Sequence, residues 1–358
     1  MTRTVLLGVV VAASLVVSLL GMPAVLVFVF SCAALIPLAA VMGDATEEIS
    51  VSRGPVVGGL LNATFGNATE LLVAVAAIRA GGPLLEMVKA SITGSIIGNL
   101  LLVLGAAIVA GGLRRQTMSL NVKSAAVMTS MMMLAVVGLV VPAVFAAVRP
   151  RASGALLEGL SLAVAAVLML VYVLGLVFSL GTHRQVFVPC TVSNERADGP
   201  SLPRVGQWGT AGPVLKLAGA TALVALESEW LTGAMSVLVR SLHLSPVFLG
   251  AVVIAVVGNA AEHVVAIKMA RGGQLDLAFQ VACGSSTQIA LFVAPLLVFV
   301  SLLLGRPLNL LFTAFEVIAI VLSVVIVSTI ASDGETNWFE GAQLLGVYGI
   351  LCIAFYCL

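Results

Sequence analysis

Two short stretches of the sequence place a carboxylate, an amide and a glycine together: Gly66-Asn67-Ala68-Thr69-Glu70 and Gly258-Asn259-Ala260-Ala261-Glu262. Asn and Glu three positions apart share one face of a helix. Glu70 and Glu262 each fall roughly midway along an apolar run. A carboxylate in hydrocarbon costs about 2.5–3.5 kcal/mol on insertion scales, so carrying the cost twice in the same pattern argues for a use. Carboxylate oxygens joined by amide and backbone carbonyl oxygens are the donor set that a hard cation such as calcium prefers. Gly66 and Gly258 let the backbone approach an ion closely, or let the helix break and free carbonyls for coordination. The next apolar segment of each half supplies further oxygens, from Ser95 and Asn99 in the first and from Ser285, Thr287 and Gln288 in the second.

The same glutamates suit protons. An apolar setting disfavours a charged carboxylate, whereas a bound cation favours it. Protons and metal therefore compete for Glu70 and Glu262, and a site that is always filled by one or the other exchanges them. Two carboxylates are neutralised by one divalent ion or by two protons, which predicts at least two protons per divalent ion. His263 follows Glu262 and points about 100° away around the helix, where it either tunes protonation of the site or packs; its counterpart is Leu71. Glu227, Glu229 and Glu316 lie within apolar runs and either line a proton or cation pathway or pair with helix neighbours. Asp44, Glu47 and Glu48 stand at a helix end, as a solvated cap or as a cation-collecting cytoplasmic gate. For the serines and threonines the competing reading is a bond to their own backbone or to a neighbouring helix.

The elements that must position these residues follow from composition. Of 358 residues 61% are hydrophobic and 9% charged, with mean hydropathy +1.19, against roughly 25% charged in a soluble domain. This is an integral, multi-pass membrane composition, and its natural partner is the lipid bilayer. A net charge of +1 gives no electrostatic case for nucleic acid. Runs long enough to cross the hydrocarbon layer lie near 4–20, 23–42, 55–80, 84–111, 119–147, 155–180, 213–239, 245–271, 276–304, 308–331 and 338–357, about eleven helices. The stretch from Asp44 to Arg53 reads as a short amphipathic link or a helical extension. The start of the chain reads as a first spanning helix rather than a leader peptide, because no small-x-small cleavage site follows its apolar stretch. The polar segment 183–212, with Pro189, Pro200 and Pro203, reads as a linker between halves. The expected organisation is a first helix (1–22), a five-helix unit (23–182), a cytoplasmic linker (183–212) and a second five-helix unit (213–358). Eleven of the 17 Lys and Arg residues fall on the amino-terminal side of these spans, which places the amino terminus in the cytoplasm. The five cysteines form no CxxC pair, so neither a zinc site nor a disulfide framework is expected, and no cofactor is implied.

Self-similarity is the strongest feature. An offset of 192 positions lays Gly66–Glu70 on Gly258–Glu262 and also matches Gly58 with Gly250, Arg79 with Arg271 and Gly81 with Gly273. An offset of 190 matches Gly94-Ser95 with Gly284-Ser285. The two copies are five spans apart and so run in opposite directions. The expected fold is all-α and polytopic, one helix plus two inverted five-helix repeats, the device of secondary transporters that bind substrate between the repeats.

The segments 59–81, 90–105, 258–298 and 332–356 resemble the calcium/proton exchanger family of the calcium/cation antiporter superfamily. The resemblance implies an eleven-helix antiporter with calcium as transported substrate and protons as counter-substrate. It puts the cation-binding pairs on Asn67 with Glu70 and Asn259 with Glu262, flanked by Ser95, Asn99, Ser285 and Gln288. Sodium/calcium relatives tend to have proline before the motif glutamate; Thr69 and Ala261 stand there instead, and His263 follows, which resembles the proton-coupled branch. The linker lacks the acidic stretch of some eukaryotic relatives, so a compact exchanger of a prokaryotic cytoplasmic membrane is expected. The alternative is a sodium-coupled cation/calcium exchanger of the same fold. No HExxH motif is present, and Glu262-His263 lacks a nucleophile partner, so an enzyme is not expected.

Overall fold

The computed structural model describes residues 3–53, 55–113, 115–187, 211–242 and 245–358. They form thirteen helices: α1 (Arg3–Leu19), α2 (Ala24–Arg53), α3 (Pro55–Phe65), α4 (Ala68–Ala80), α5 (Leu84–Gly112), α6 (Val122–Val148), α7 (Gly154–Thr182), α8 (Ala211–Leu242), α9 (Pro246–Gly258), α10 (Ala260–Arg271), α11 (Leu275–Leu303), α12 (Ala314–Ala331) and α13 (Trp338–Cys357). Among the described residues eight helices, α2, α5–α8 and α11–α13, are long and apolar enough to cross a membrane, and α9 with α10 makes a ninth span bent by 57°. The expected linker lies largely outside the described residues, as do Cys190 and Arg114.

Two expected spans are not single helices. The run 55–80 breaks at Gly66-Asn67 into α3 and α4, and 245–271 breaks at Asn259 into α9 and α10. Asn67 (φ −108°, ψ 24°) and Asn259 (φ −91°, ψ 9°) both leave helical geometry at the break. Four long apolar helices, α5 to α8, separate α4 from α10, so the two broken elements run in opposite senses, consistent with an inverted repeat. Asp44 to Arg53 is a helical extension of α2 and not a link. The expected span 308–331 begins later, at Ala314, because Thr313 and Glu316 close a capping box there. Asn121, Ser153, Ser245 and Asn337 cap α6, α7, α9 and α13 in the same manner, by accepting from backbone N–H groups of the first turn.

The packing follows the repeat. α5 packs on α9, α10 and α13; its counterpart α11 packs on α4, α6 and α7; α2 lies along α8, and α6 along α12. Strands β1 (Met118–Ser119) and β2 (Glu335–Thr336) pair antiparallel and tie the α5–α6 connection to the α12–α13 connection. Both α5 and α11 are interrupted by π-helical turns, Gly98–Val103 and Ile289–Val293. Such turns widen the helix and re-aim side chains, and they concentrate at functional sites.

Glycine sets the closest approach between halves. A Cβ on Gly94 of α5 would fall on the backbone of Ala251 in α9, and one on Gly250 would fall on the carbonyl of Met87. Their repeat counterparts are not paired in this way. A Cβ on Gly284 would stand 3.5 Å from the Met128 methyl, and one on Gly58 would fall on Ser50 of α2. The contact between α5 and α9 therefore has no symmetric twin among the described residues. Replacing Gly94 with valine should force α5 and α9 apart at a cost of about 1–3 kcal/mol. The expected readout is a lower Tm of the purified protein, with Gly284→Val changing it much less; equal effects would contradict the asymmetry.

Candidate cation-binding site

The break in each span leaves a half-helix whose first turn carries the glutamate: Glu70 in α4 and Glu262 in α10. A helix N-terminus directs unpaired N–H groups and the positive end of its dipole at that position. The residue before each half-helix is the motif asparagine, and the two asparagines reach across to the other repeat. Asn67 donates through Nδ2 to Gln288 Oε1 at 2.7 Å and accepts from Ser285 Oγ at 3.1 Å. Asn259 donates through Nδ2 to Ser95 Oγ at 3.0 Å and to its own-helix carbonyl at Ala255 (2.9 Å), and accepts from Asn99 Nδ2 at 3.2 Å. Each motif amide is thus held by the hydroxyl and the amide of the opposite repeat. Asn67 and Asn259 are each 1% exposed, so their positions are set by these bonds and not by water.

Register explains one detail. Ser95 and Ser285 are 190 positions apart, whereas Asn99 and Gln288 are 189 apart, yet each pair reaches the opposite motif asparagine, with donor and acceptor reversed between the halves. The π turn of α5 begins at Gly98, before Asn99, and that of α11 begins at Ile289, after Gln288. The differing position of the wide turn, with the longer side chain of glutamine, accommodates the mismatch.

The carboxyls lie inside this frame. Ser285 Oγ also donates to Glu262 Oε2 at 3.2 Å. Both carboxyl oxygens of Glu70 are shielded from solvent and have no hydrogen-bond partner among the described residues. Glu262 stands four residues beyond Gly258, at the start of α10. Glu70 also lies against the break of the other repeat: a Cβ on Gly258 would stand 3.1 Å from its Cγ and its Oε1. Gly258 is therefore a residue of the site through its missing side chain. Its counterpart Gly66 faces the Asn62 carbonyl of its own helix instead. No group of three or more His, Cys, Asp or Glu side chains capable of holding a metal occurs among the described residues. The donors present are two carboxyls with amides and hydroxyls, which fits a hard cation bound through oxygen better than zinc or a soft metal.

The remaining expected residues stand elsewhere. Glu227, 1% exposed, accepts from Ser14 Oγ at 2.7 Å and so joins α8 to α1. Glu229 forms an exposed ion pair with Arg79 at 2.7 Å, and Glu48 one with Lys216 at 2.8 Å. Glu47 is exposed on the same stretch of α2. Glu316 accepts from the Thr313 backbone N–H and hydroxyl at 2.8 Å each, and from the Thr93 hydroxyl at 3.3 Å. His263 Nε2 has no partner among the described residues. The Thr287 hydroxyl donates back to the Cys283 carbonyl at 2.7 Å. Ser286, not singled out from sequence, donates to the Ile96 carbonyl of α5 at 3.3 Å; it sits within the polar run Ser285-Ser286-Thr287-Gln288, and its own position had no counterpart in the repeat to distinguish it, since Ile96 stands there at the offset of 190.

Two oppositely directed broken helices, each carrying a glutamate and bonded through its asparagine to the opposite repeat, define a membrane protein of the inverted-repeat class. Residues 23–181 and 213–357 match the family described as sodium/calcium exchanger protein, and the chain belongs to that family. It is 44% identical over 348 residues to the Ca(2+)/H(+) antiporter of Synechocystis sp., covering 94% of this chain and 92% of that one. It is 39% identical over 347 residues to the Ca(2+)/H(+) antiporter ChaA of Bacillus subtilis, covering 96% of each. The structure of native YfkE superposes with a TM-score of 0.84 at 35% identity over the full length of both chains. The relatives are thus named as antiporters.

The crossed bonds make a stability prediction. Asn259→Leu removes the partners of Ser95 and Asn99 and leaves buried polar groups unpaired, at about 1–3 kcal/mol. The expected result is a lower Tm that is partly recovered when Asn99→Leu is added, because the two effects are coupled. Additive losses would mean that the bond between them contributes nothing.

Proposed function

We propose that the protein is a secondary active antiporter that exchanges calcium for protons, with Glu70 and Glu262 binding either metal or protons. The observation that carries the reading is a pair of carboxyls, Glu70 shielded and with no hydrogen-bond partner among the described residues and Glu262 bonded by Ser285, framed by the amides and hydroxyls of Asn67, Ser95, Asn99, Asn259, Ser285 and Gln288. Two neighbouring carboxylates repel each other unless a cation or protons neutralise them, so the empty, fully charged state is the unfavourable one. That penalty couples the fluxes: the transporter reorients with calcium or with at least two protons. The names of its relatives, antiporters of Ca(2+) and H(+), support the choice of substrates.

Alternating access is supported by the asymmetry of the glycine contacts. The α9 half of one broken helix packs backbone to backbone on α5 through Gly94 and Gly250, while the corresponding Gly284 and Gly58 face other neighbours. In the opposite state α3 packs on α11 through Gly58 and Gly284, and α9 withdraws. The organisation in this reading is eleven spans, with α1 and the pair α3–α4 added to the nine identified by length and composition. Two five-helix repeats at 23–182 and 213–358 flank a cytoplasmic linker; the separate family matches over 23–181 and 213–357 support those limits. The positive-inside count places the amino terminus in the cytoplasm. Glu47 and Glu48 then stand at the cytoplasmic mouth, where they collect cations, and His263 tunes the protonation of the adjacent Glu262.

The test is calcium uptake into proteoliposomes under an imposed pH gradient. Uptake is expected to follow the gradient, to be indifferent to sodium and to fall to background in Glu70→Gln and Glu262→Gln. Sodium-dependent uptake would place the protein among sodium-coupled exchangers of the same fold, and uptake surviving both substitutions would remove the glutamates from the mechanism.

A further inference from the structure

The connections after α5 (residues 113–121) and after α11 (residues 304–313) each carry an arginine that reaches the broken helix of the other repeat. Arg115 Nη1 donates to the carbonyls of Ala270 and Arg271 at 3.5 Å each, at the C-terminal end of α10, and to Gly111 of its own helix at 3.4 Å. Arg306 Nη1 donates to the carbonyl of Ile78 at 3.4 Å, at the C-terminal end of α4. The offset of 192 that aligns the motifs lays Ile78 on Ala270 and Gly81 on Gly273, so the two contacts are equivalent under the repeat.

Two further observations make these contacts specific. Gly81 (φ +71°) and Gly273 (φ +86°) both have left-handed backbones that end their half-helices. Each leaves a notch filled by the guanidinium: a Cβ on Gly81 would fall on Arg306, and one on Gly273 would stand 2.9 Å from Arg115 Nη2. The mounts of the arginines are themselves fixed. The first connection is held by the β1–β2 pair, by Leu120 N–H to Gly334 O at 2.7 Å and by Asn121 N–H to Asp276 Oδ1 at 2.6 Å. The second is held by Leu308 N–H to Ser301 Oγ at 2.8 Å, by Leu310 N–H to Ser161 Oγ at 3.1 Å and by Lys89 Nζ to Leu311 O at 3.1 Å.

A guanidinium at a helix C-terminus is favoured by the dipole and satisfies carbonyls that the helix leaves open. The helices it holds here are short, 13 residues for α4 and 12 for α10. Their opposite ends carry Glu70 and Glu262, about 12 Å away along the axis. A rod of that length pinned at its far end keeps its glutamate in place while the other half of the broken span moves. Neither arginine bonds α3 or α9 among the described residues. We propose that Arg115 and Arg306 are reciprocal positioning residues, each fixing the glutamate-bearing half-helix of the opposite repeat, so that α3 and α9 swing as gates while the cation-binding geometry is kept. This rests on the exchanger reading given above.

The experiment combines calcium uptake by full-length protein in proteoliposomes with hydrogen–deuterium exchange. Arg115→Ala is expected to raise the KM for calcium about fivefold, the worth of a charge at a helix C-terminus, with kcat within about twofold. It should accelerate exchange at 268–273 but not at 76–81. Arg306→Ala should give the mirror result, faster exchange at 76–81 alone. Gly81→Ala, which keeps Arg306 in the chain but evicts its guanidinium from the notch, should reproduce Arg306→Ala, and Arg→Lys at either position should recover part of the KM. An unchanged KM, or faster exchange spread equally over both half-helices, would overturn the proposal. Wild-type protein that takes up no calcium would instead defeat the exchanger reading, and the crosswise exchange pattern would still decide whether the arginines anchor the half-helices.

Discussion

The constraint behind the arrangement is that two carboxyl groups from different repeats are brought to one place inside an apolar helix bundle. Glu70 and Glu262 stand at the ends of two broken helices, and Glu70 lies against the break that precedes Glu262. Each break exposes backbone groups that an intact helix would consume, and at each the asparagine turns its side chain to the opposite repeat without capping the half-helix that follows. Asn67 and Asn259 are in turn held from the opposite half, by Ser285 with Gln288 and by Ser95 with Asn99. In a low-dielectric interior an unpaired amide is costly, so this crossed arrangement also glues the repeats. Neither half can complete its own site.

Symmetry accounts for the wiring, and departures from symmetry are where motion enters. The amide–hydroxyl pairings are matched in both repeats, though with donor and acceptor reversed, and so are the arginine contacts at the far ends of α4 and α10. The glycine contacts are not: Gly94 and Gly250 bring α5 and α9 to backbone contact, while Gly284 and Gly58 face unrelated neighbours. A packed glycine interface gives two helices a close, well-defined seat. In the exchanger reading proposed above, one such seat is occupied and its twin is the seat of a second arrangement.

Much of this was legible in the sequence because the repeat is written in polar residues. Gly-Asn-Ala-x-Glu occurring twice in apolar surroundings is visible against a background of Ala, Val and Leu, and it fixed the candidate residues and their opposite orientation together. Composition settled the membrane class for the same reason. What escaped was geometry that polarity does not mark. The motif glycines offered a helix break as one of two readings, but not that Asn67 and Asn259 would leave helical geometry and head separate half-helices. The true start of α12 depended on Thr313 and Glu316 closing a capping box within an otherwise apolar stretch. Glu316, Glu227 and Glu229 looked alike in sequence, yet they find a cap, a serine of α1 and an arginine of α4. The role of Gly258 as the surface against which Glu70 lies depends on an inter-repeat contact that no local pattern encodes.

The central claim is that one pair of carboxyls holds either calcium or protons. It is tested most directly by titrating calcium into purified protein by calorimetry in buffers of differing ionisation enthalpy. The account predicts that binding heat varies with the buffer because calcium displaces protons, up to two per ion, and that the dependence disappears in the Glu70→Gln/Glu262→Gln variant together with binding. Calcium binding with a heat independent of buffer would mean that metal and protons do not share these groups.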